Sequence, residues 1–397
     1  MNVKSITLSE VAEFNPPAPV LTADEEVSFV PMAAVSELGV MQVTEHARVA
    51  DLKSGYSYMR TGDVLVAKIT PCFENNKIAV ASLDRPHGYG STEFHVIRPR
   101  KEKLEARFLV HFLRQDQIRT AGERRMTGSA GQRRVPKQFL GELAIPLPSL
   151  DEQRRIAAIL DQADDLRRKR REALGRLDQL SVAVFRSAFA SQVGAITELG
   201  KLCDLVRGSS PRPQGDPRYF GGPVPRLMIA DITRDGMRVT PSIDSLTIEG
   251  ARKSRPMEAG SVVMAVSGAV GLPAILEIDA CIHDGFVGFR KLDPIIDIVY
   301  FYYWLYMNKV VHSASGTGAI WSNLTTEQVA HFRVPVPPLP LQRAFAARVA
   351  EIDKLKAHHR AHLARLDALF ASLQHRAFRG DLSAPSFSRA REKAAAP

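Results

Sequence analysis

The residues of this chain with the right types for catalysis lack the right spacing. Nucleotide-driven motion needs a GxxxxGK[ST] run, whose amides and lysine hold triphosphate oxygens, and the sequence has none. Asn15-Pro16-Pro17 matches three positions of the [DN]PP[YF] run of amino-methyltransferases, but Ala18 replaces the aromatic and no glycine-rich cofactor turn precedes it. The eleven histidines form no HExxH pair, and His358-His359 reads as a helix-face pair. Asp51-Leu52-Lys53 has the acid-x-lysine spacing of some nucleases without an ordered acid upstream. Cys72, Cys203 and Cys281 lie far apart and make no CxxC, so a reduced, cytoplasmic chain without a thiolate zinc site is expected.

Charge offers a different chemistry. Residues 98–137 hold twelve Lys/Arg against four Asp/Glu, a surplus of +8 in forty residues of a chain whose net charge is +10. Such a patch fits a polyanion, nucleic acid first, or alternatively a solvated basic helix face. Two glycine-rich loops, 127–131 (Thr-Gly-Ser-Ala-Gly) and 315–318 (Ser-Gly-Thr-Gly), could offer backbone N–H groups to phosphates. At 397 residues with 45% apolar and 24% charged, the composition excludes disordered, collagenous and membrane classes. The longest apolar run, 298–307, is about half of the ~20 residues a spanning helix needs, and residues 1–5 lead into no apolar signal core.

The elements that must position these residues occur twice. Residues 143–154 (LAIPLPSLDEQR) return as 332–343 (FRVPVPPLPLQR) at an offset of 189, which also pairs Leu177-Asp178 with Leu366-Asp367 and Ala188-Phe189 with Ala377-Phe378. Upstream, 62–67 (GDVLVA) resembles 260–265 (GSVVMA), so the chain reads as two copies of a unit of about 190 residues. Each copy opens with a mixed α+β globule, expected over 1–145 and 196–334. Strands are predicted at 64–68, 78–82, 224–229 and 261–265, and a helix at 107–120 and 299–308. The aromatic run 300–304 suits a buried helix better than a base-stacking platform, because its counterpart 108–113 is aliphatic and aromatic alike.

Each copy closes with a long helix, expected over 146–195 and 335–383, leaving a disordered tail at 384–397. Apolar residues recur at Ile156, Leu160, Ala163, Leu166, Leu174, Leu177, Leu180 and Val184, and again from Phe345 to Leu373, at heptad spacing. Such a helix needs a partner, and the other copy supplies one. Arg170 and its equivalent His359 are polar where the seam expects apolar residues. If the helices pair antiparallel, the two meet and fix the register, or else both reach out to solvent.

Globule, Ile145-Pro146-Leu147-Pro148, Glu152-Gln153-Arg154-Arg155-Ile156, long helix, then the unit again with Val334-Pro335-Val336-Pro337 and Gln342-Arg343: this arrangement resembles the specificity subunits of Type I restriction-modification systems. The helix end at Phe189, echoed by residues 375–382, also resembles that family, as do 68–77 and 91–94, which look like one recurrent type of target recognition domain. The second globule has Ala265-Val266-Ser267-Gly268 instead, and Leu341 replaces Glu152. The resemblance implies a non-catalytic reader of a bipartite, asymmetric target in double-stranded DNA, with the helices as an antiparallel, pseudo-two-fold coiled coil setting the gap. It also implies partner subunits carrying the cofactors: two methyltransferase subunits with S-adenosylmethionine, and two restriction subunits with ATP and magnesium. A coiled-coil scaffold or a stand-alone methyltransferase is the alternative.

Within that reading, DNA contacts are expected from Lys68, Thr70, Asn75 and Lys77 around Pro71 and from Thr92 and Glu93 at the next strand. Asn suits adenine, Lys suits guanine or phosphate, and Glu suits the cytosine amino group. Arg124, Arg125, Ser129, Arg133, Arg134 and Lys137 are expected to hold phosphates around the first glycine loop. Ser267, Ser315 and Thr317 are the matching candidates in the second globule.

Overall fold

The structure, a computed structural model, describes residues 5–42, 45–52, 54–129, 131–190, 194–309 and 323–382. It is a mixed helix and sheet protein with two compact units, Met1–Glu172 with Arg360–Pro397 and Ala173–His359. Two long helices, Leu150–Phe189 and Leu339–Arg379, each contribute one half to each unit. The tail expected at 384–397 lies outside the described residues.

In the first unit, Val64–Ala67 is the central strand of a sheet ordered Ala12–Phe14, Phe94–Pro99, Val64–Ala67, Ile78–Val80, antiparallel throughout. All four of its residues are buried, because the sheet is covered on both faces. Val64 and Val66 pack with Phe108, Ile145, Ile156 and Leu160, while Leu65 and Ala67 pack with Val30, Met59 and Val96. Those last residues connect to a second sheet, ordered Glu45–Arg48, Glu26–Val30, Gly88–Gly90, Ser57–Met59. The helix expected at 107–120 is two helices, Ala106–Leu113 and Asp116–Arg125. The first stops at Arg114, whose guanidinium turns onto the Leu38 and Glu37 carbonyls, while the Gln115 amide donates to Phe112 O at 3.0 Å.

The second unit repeats the device. Val262–Ala265 is buried in a sheet ordered Asp204–Arg207, Phe286–Arg290, Val262–Ala265, Pro273–Leu276, Arg238–Val239. Val262 and Met264 face Phe301, Trp304 and Phe345, and Val263 and Ala265 face Leu227 and Ile282. The aromatic run lies on the helix Ile298–Met307 and is buried from Val299 to Leu305. The strand expected at 224–229 ends earlier, as Phe220–Leu227, because Met228 N–H donates to Asp231 at 3.0 Å and starts the helix Ile229–Asp235.

The proline-rich stretches are structural closures. Ala144–Pro146 pairs antiparallel with Ser5–Thr7, and Arg333–Val336 with Ala195–Glu198, so each clips the end of its globule to the beginning. One turn into each long helix sits a glutamine with no exposed surface. Gln153 donates to Lys103 O and Pro148 O, both at 2.9 Å, and accepts from Glu105 N–H at 2.9 Å. Gln342 donates to Ile295 O at 3.0 Å and Pro337 O at 2.7 Å, and accepts from Asp297 N–H at 2.8 Å. Glu105 and Asp297 in turn cap the helices Ala106–Leu113 and Ile298–Met307. One carboxamide thus satisfies three backbone groups that burial would otherwise leave unpaired.

Each unit also receives the end of the other copy's helix. In the first unit, Phe378 packs on Phe108 and Phe112 with ring centroids 5.1 and 5.4 Å apart, and Arg167 pairs with Asp367 at 2.6 Å. In the second, Phe189 packs on Tyr300 and Phe345 at 4.8 and 5.5 Å, and Lys356 pairs with Asp178 at 2.8 Å. Arg170 belongs to the first unit and His359 to the second.

Candidate nucleic-acid interface

After strand Val64–Ala67 the first-unit chain runs on as an extended strip that joins several of the expected contact residues. Lys68 N–H donates to Glu93 O at 2.9 Å, and Lys68 O accepts from Val135 N–H at 2.8 Å. Thr70 N–H donates to Arg133 O at 2.9 Å, and Ile69 and Arg134 form a bridge. Residues 133–135 are therefore zipped to 68–70 on one side. On the other, Arg134 exchanges backbone bonds with Thr127 at 2.8 and 3.0 Å, closing the glycine loop. Gly128 has φ +123°, and a Cβ there would come within 2.7 Å of Gln132 O, so this turn requires glycine.

Several of the expected contact side chains also bond neighbours within the unit. Glu93 and Arg134 hold each other in a two-toothed ion pair, with Nε and Nη2 of Arg134 at 2.7–3.2 Å from the carboxylate. That hydrogen bond first, and the guanidinium charge second, lower the Glu93 pKa against the effect of burial. Arg133 turns onto the C-terminal carbonyls of the helix Asp116–Arg125, bonding Glu123 O at 2.8 Å and Met126 O at 3.3 Å. Thr70 donates to Glu74 at 2.7 Å. Thr92, Arg124, Arg125, Ser129 and Lys137 are exposed. Asn75 and Lys77 sit at the other limb of the Pro71 loop, where Asn75 donates to Glu37 at 2.8 Å and Lys77 to Met32 O at 3.4 Å.

The basic surplus of 98–137 is partly answered by acids distant in sequence. Arg98 pairs with Asp63 at 2.7 Å, Arg107 with Asp161 at 2.5 Å and Arg114 with Asp164 at 3.5 Å, in addition to Arg134 with Glu93. Arg119 takes two acids of its own helix, Asp116 and Glu123. Besides Arg107, the exposed cations of this stretch are Arg100, Lys101, Lys103, Arg124, Arg125, Arg133 and Lys137. His95, buried beneath this strip, bonds Val135 O at 2.9 Å through Nε2, and burial lowers its pKa.

In the second unit Ser267 is half-buried and bridges Asn323, in a turn three residues shorter than the Pro71 loop, as Ala265 N–H reaches Leu272 O where Ala67 N–H reaches Lys77 O. Ser315 and Thr317, with the rest of the second glycine loop, lie outside the described residues. The sequence reading missed a polar cluster here. Arg226, 4% exposed, pairs with Asp244 at 2.5 Å and donates to Ser210 at 3.0 Å, and Ser210 donates to Asp284 at 2.5 Å. Its local signal in the sequence was the run Ser209-Ser210-Pro211. Among the described residues no group of His, Cys, Asp and Glu could hold a metal ion.

A family model, the Type I restriction modification DNA specificity domain, matches the chain twice, over residues 2–176 and 195–367. The chain belongs to this family. The two matches agree with the two copies read from the offset of 189. Among curated proteins, it is 38% identical over 200 residues to the Type I restriction enzyme EcoAI specificity subunit of Escherichia coli, covering 50% of this chain and 32% of that protein. It is 40% identical over 153 residues to the EcoEI specificity subunit of the same organism, covering 38% and 26%. A putative MjaX specificity subunit of Methanocaldococcus jannaschii is 25% identical over 314 residues, 74% and 72% of the two chains. The alignments thus span about a third or less of the two E. coli relatives' lengths.

Two solved structures share the specificity-domain fold. One, from work on complex assembly and conformational transition of the type I R-M system, has a TM-score of 0.57 at 23% identity and covers 96% of this chain and 98% of its own. The other, a Type I restriction-modification S subunit from M. genitalium, has a TM-score of 0.55 at 15% identity, covering 95% and 96%.

Proposed function

We propose that this chain is the non-catalytic DNA reader of a cytoplasmic Type I restriction-modification assembly, each globule reading one half of a bipartite, asymmetric target. The observation that carries the reading is that two globules share their buried frame, down to the bonds of Gln153 and Gln342, and differ in the loops after the central strand. A repeated frame with divergent loops suits two unlike half-targets.

The boundaries proposed are target recognition domains at 1–145 and 196–334, with helical regions at 146–195 and 335–383. The two helices are read as an antiparallel coiled coil with pseudo-two-fold symmetry. The pairs Arg167–Asp367 and Asp178–Lys356 support this, as in both the lower number on one helix goes with the higher on the other. Arg170 and His359 then act as polar register positions, each within the unit to which it belongs.

Exposed Lys137, Arg124, Arg125, Arg133 and Ser129 are assigned to phosphates, and Lys68, Thr70, Asn75, Lys77, Thr92 and Glu93 to the walls of the groove reader. Ser267, Ser315 and Thr317 are the second globule's candidates. Phosphate contacts position the protein, and base contacts specify. Partner methyltransferase subunits, two of them, would supply S-adenosylmethionine chemistry, and two restriction subunits ATP- and magnesium-dependent cleavage. The test replaces residues 1–145 with the first globule of another family member and sequences methylated adenines in cells. One half of the motif should change while the other and the gap remain. Change in both halves together defeats the one-globule-per-half assignment.

A further inference from the structure

The Glu93–Arg134 pair is unusual for a cation on a DNA-facing strip, because its charge is already cancelled. A guanidinium has five N–H donors. Nε and one Nη2 hydrogen go to Glu93, and one Nη1 hydrogen goes to Gln132 O at 3.0 Å. Among the described residues, one donor therefore remains on each Nη nitrogen. The Arg134 side chain is 41% exposed and Glu93 23%, so the remaining donors are accessible while the buttress is more sheltered. The backbone beneath is rigid: residue 134 is bonded on one side to the 68–70 strip and on the other to Thr127, and Glu93 O is bonded to the same strip.

From this geometry we propose that Arg134 reads a guanine in the half-target of the first globule, with Glu93 as the positioning residue that orients it. The inference rests on the DNA-reader function above. A pair of N–H donors on a locked guanidinium matches the O6 and N7 acceptors of guanine in the major groove. Fixing the long side chain beforehand reduces the ordering cost of binding, and a fixed direction is what discriminates one base edge from another. A phosphate is the other two-acceptor partner on a duplex, and the same pair is poorly suited to it. The Glu93 carboxylate would lie beside the phosphate's negative charge, and a neutral pair releases few counterions. A base edge is uncharged and suffers neither penalty. Arg133, next in the chain, contrasts with it. Its guanidinium caps a helix end and, among the described residues, pairs with no carboxylate, as suits a backbone contact.

The test uses the full chain co-expressed with its methyltransferase partner, read by the methylated motif in cells and by salt-dependent binding to short duplexes. Arg134→Ala and Arg134→Lys should both lose preference for guanine at one position of the first half, by about tenfold or more. The second half should be unchanged, which shows that the chain is folded. Lys retains the charge without the fork, so its salt dependence should stay close to wild type. Replacing that guanine by 7-deazaguanine removes the N7 acceptor and should weaken wild type but not Arg134→Ala. Glu93→Gln should raise affinity for random duplexes and steepen the salt slope by about one, because it unmasks a cation, while blunting the guanine preference. A uniform loss on all duplexes in Arg134→Ala, with a shallower salt slope, would make Arg134 a phosphate anchor and overturn the inference. So would a first half that is sequence-specific yet insensitive to Arg134 and to 7-deazaguanine. Those results leave the DNA-reader function standing, whereas a wild-type complex with no sequence preference in either half removes both.

Discussion

The first and second globules differ least where backbone groups are buried and most where loops leave the central sheet. Gln153 and Gln342 make equivalent bonds, the closing strands pair in the same way, and Phe378 and Phe189 fill equivalent positions against an aromatic helix. The loop after the central strand is longer in the first globule and is tied to the 133–135 segment, whereas in the second it is a short turn bridged to Asn323. The comparison teaches which parts are constrained. A buried carbonyl or amide must be satisfied in both copies, and any change there is costly. A loop at the rim has only to close, so its side chains are free to diverge.

The largest expected effect probes the shared bracket. Gln153→Ala removes a fully buried carboxamide that partners three part-buried backbone groups, and should destabilise the first unit by about 3–5 kcal/mol. Gln342→Ala should do the same to the second unit. Hydrogen exchange followed peptide by peptide separates the two. If Gln342→Ala left the 295–305 peptides as protected as wild type, the equivalence of the brackets would fail.

A somewhat smaller effect is expected at the helix ends. Phe378→Ala should loosen the unit built on residues 1–172, and Phe189→Ala the unit at 173–359, each by about 2–4 kcal/mol for a half-buried phenyl ring. The diagnostic feature is the crossing. Each substitution acts on the globule of the other copy, so proteolysis that opened the globule of the same copy instead would break the comparison.

The smallest effect exposes an asymmetry. Asp161 lies within hydrogen-bond reach of His111 at 2.8 Å and Arg107 at 2.5 Å, and its equivalent at the offset of 189 is Ala350. Burial pushes its carboxyl up, but the bonds from His111 and Arg107 outweigh that and hold it at about 2, against an ordinary 3.8. A carboxylate with a depressed folded pKa contributes stability that is complete above about 4 and lost as pH falls toward 2. At one-third exposure, screening reduces that contribution to about 1 kcal/mol. Acid titration should therefore weaken the first unit between pH 4 and 2, and Asp161→Asn should abolish that step. An identical acid step in Asp161→Asn would assign it to another carboxylate.

Much of this architecture was legible before any coordinates. The long helices run Leu150–Phe189 and Leu339–Arg379, close to the stretches their heptad spacing marked, and the aromatic run 300–304 is buried in a helix. The break between Leu113 and Asp116 was not legible, since it depends on Arg114 reaching carbonyls at 37 and 38, over seventy residues earlier. Nor was the pairing of Glu93 with Arg134. Both were expected from their types to contact DNA, yet forty-one positions separate them and nothing in either neighbourhood announces the other.

The sequence by itself determined the two-copy plan, the long helices and the glutamines that open them, because periodicity and repetition are written in short-range spacing and survive without a fold. Only the tertiary structure decided which cations of 98–137 remain available. Arg98, Arg107, Arg114 and Arg134 are matched by Asp63, Asp161, Asp164 and Glu93, acids that chain closure brings within about 4 Å. Net charge is a sum over composition, but a charge's partner is a matter of distance, and distance is set by the fold.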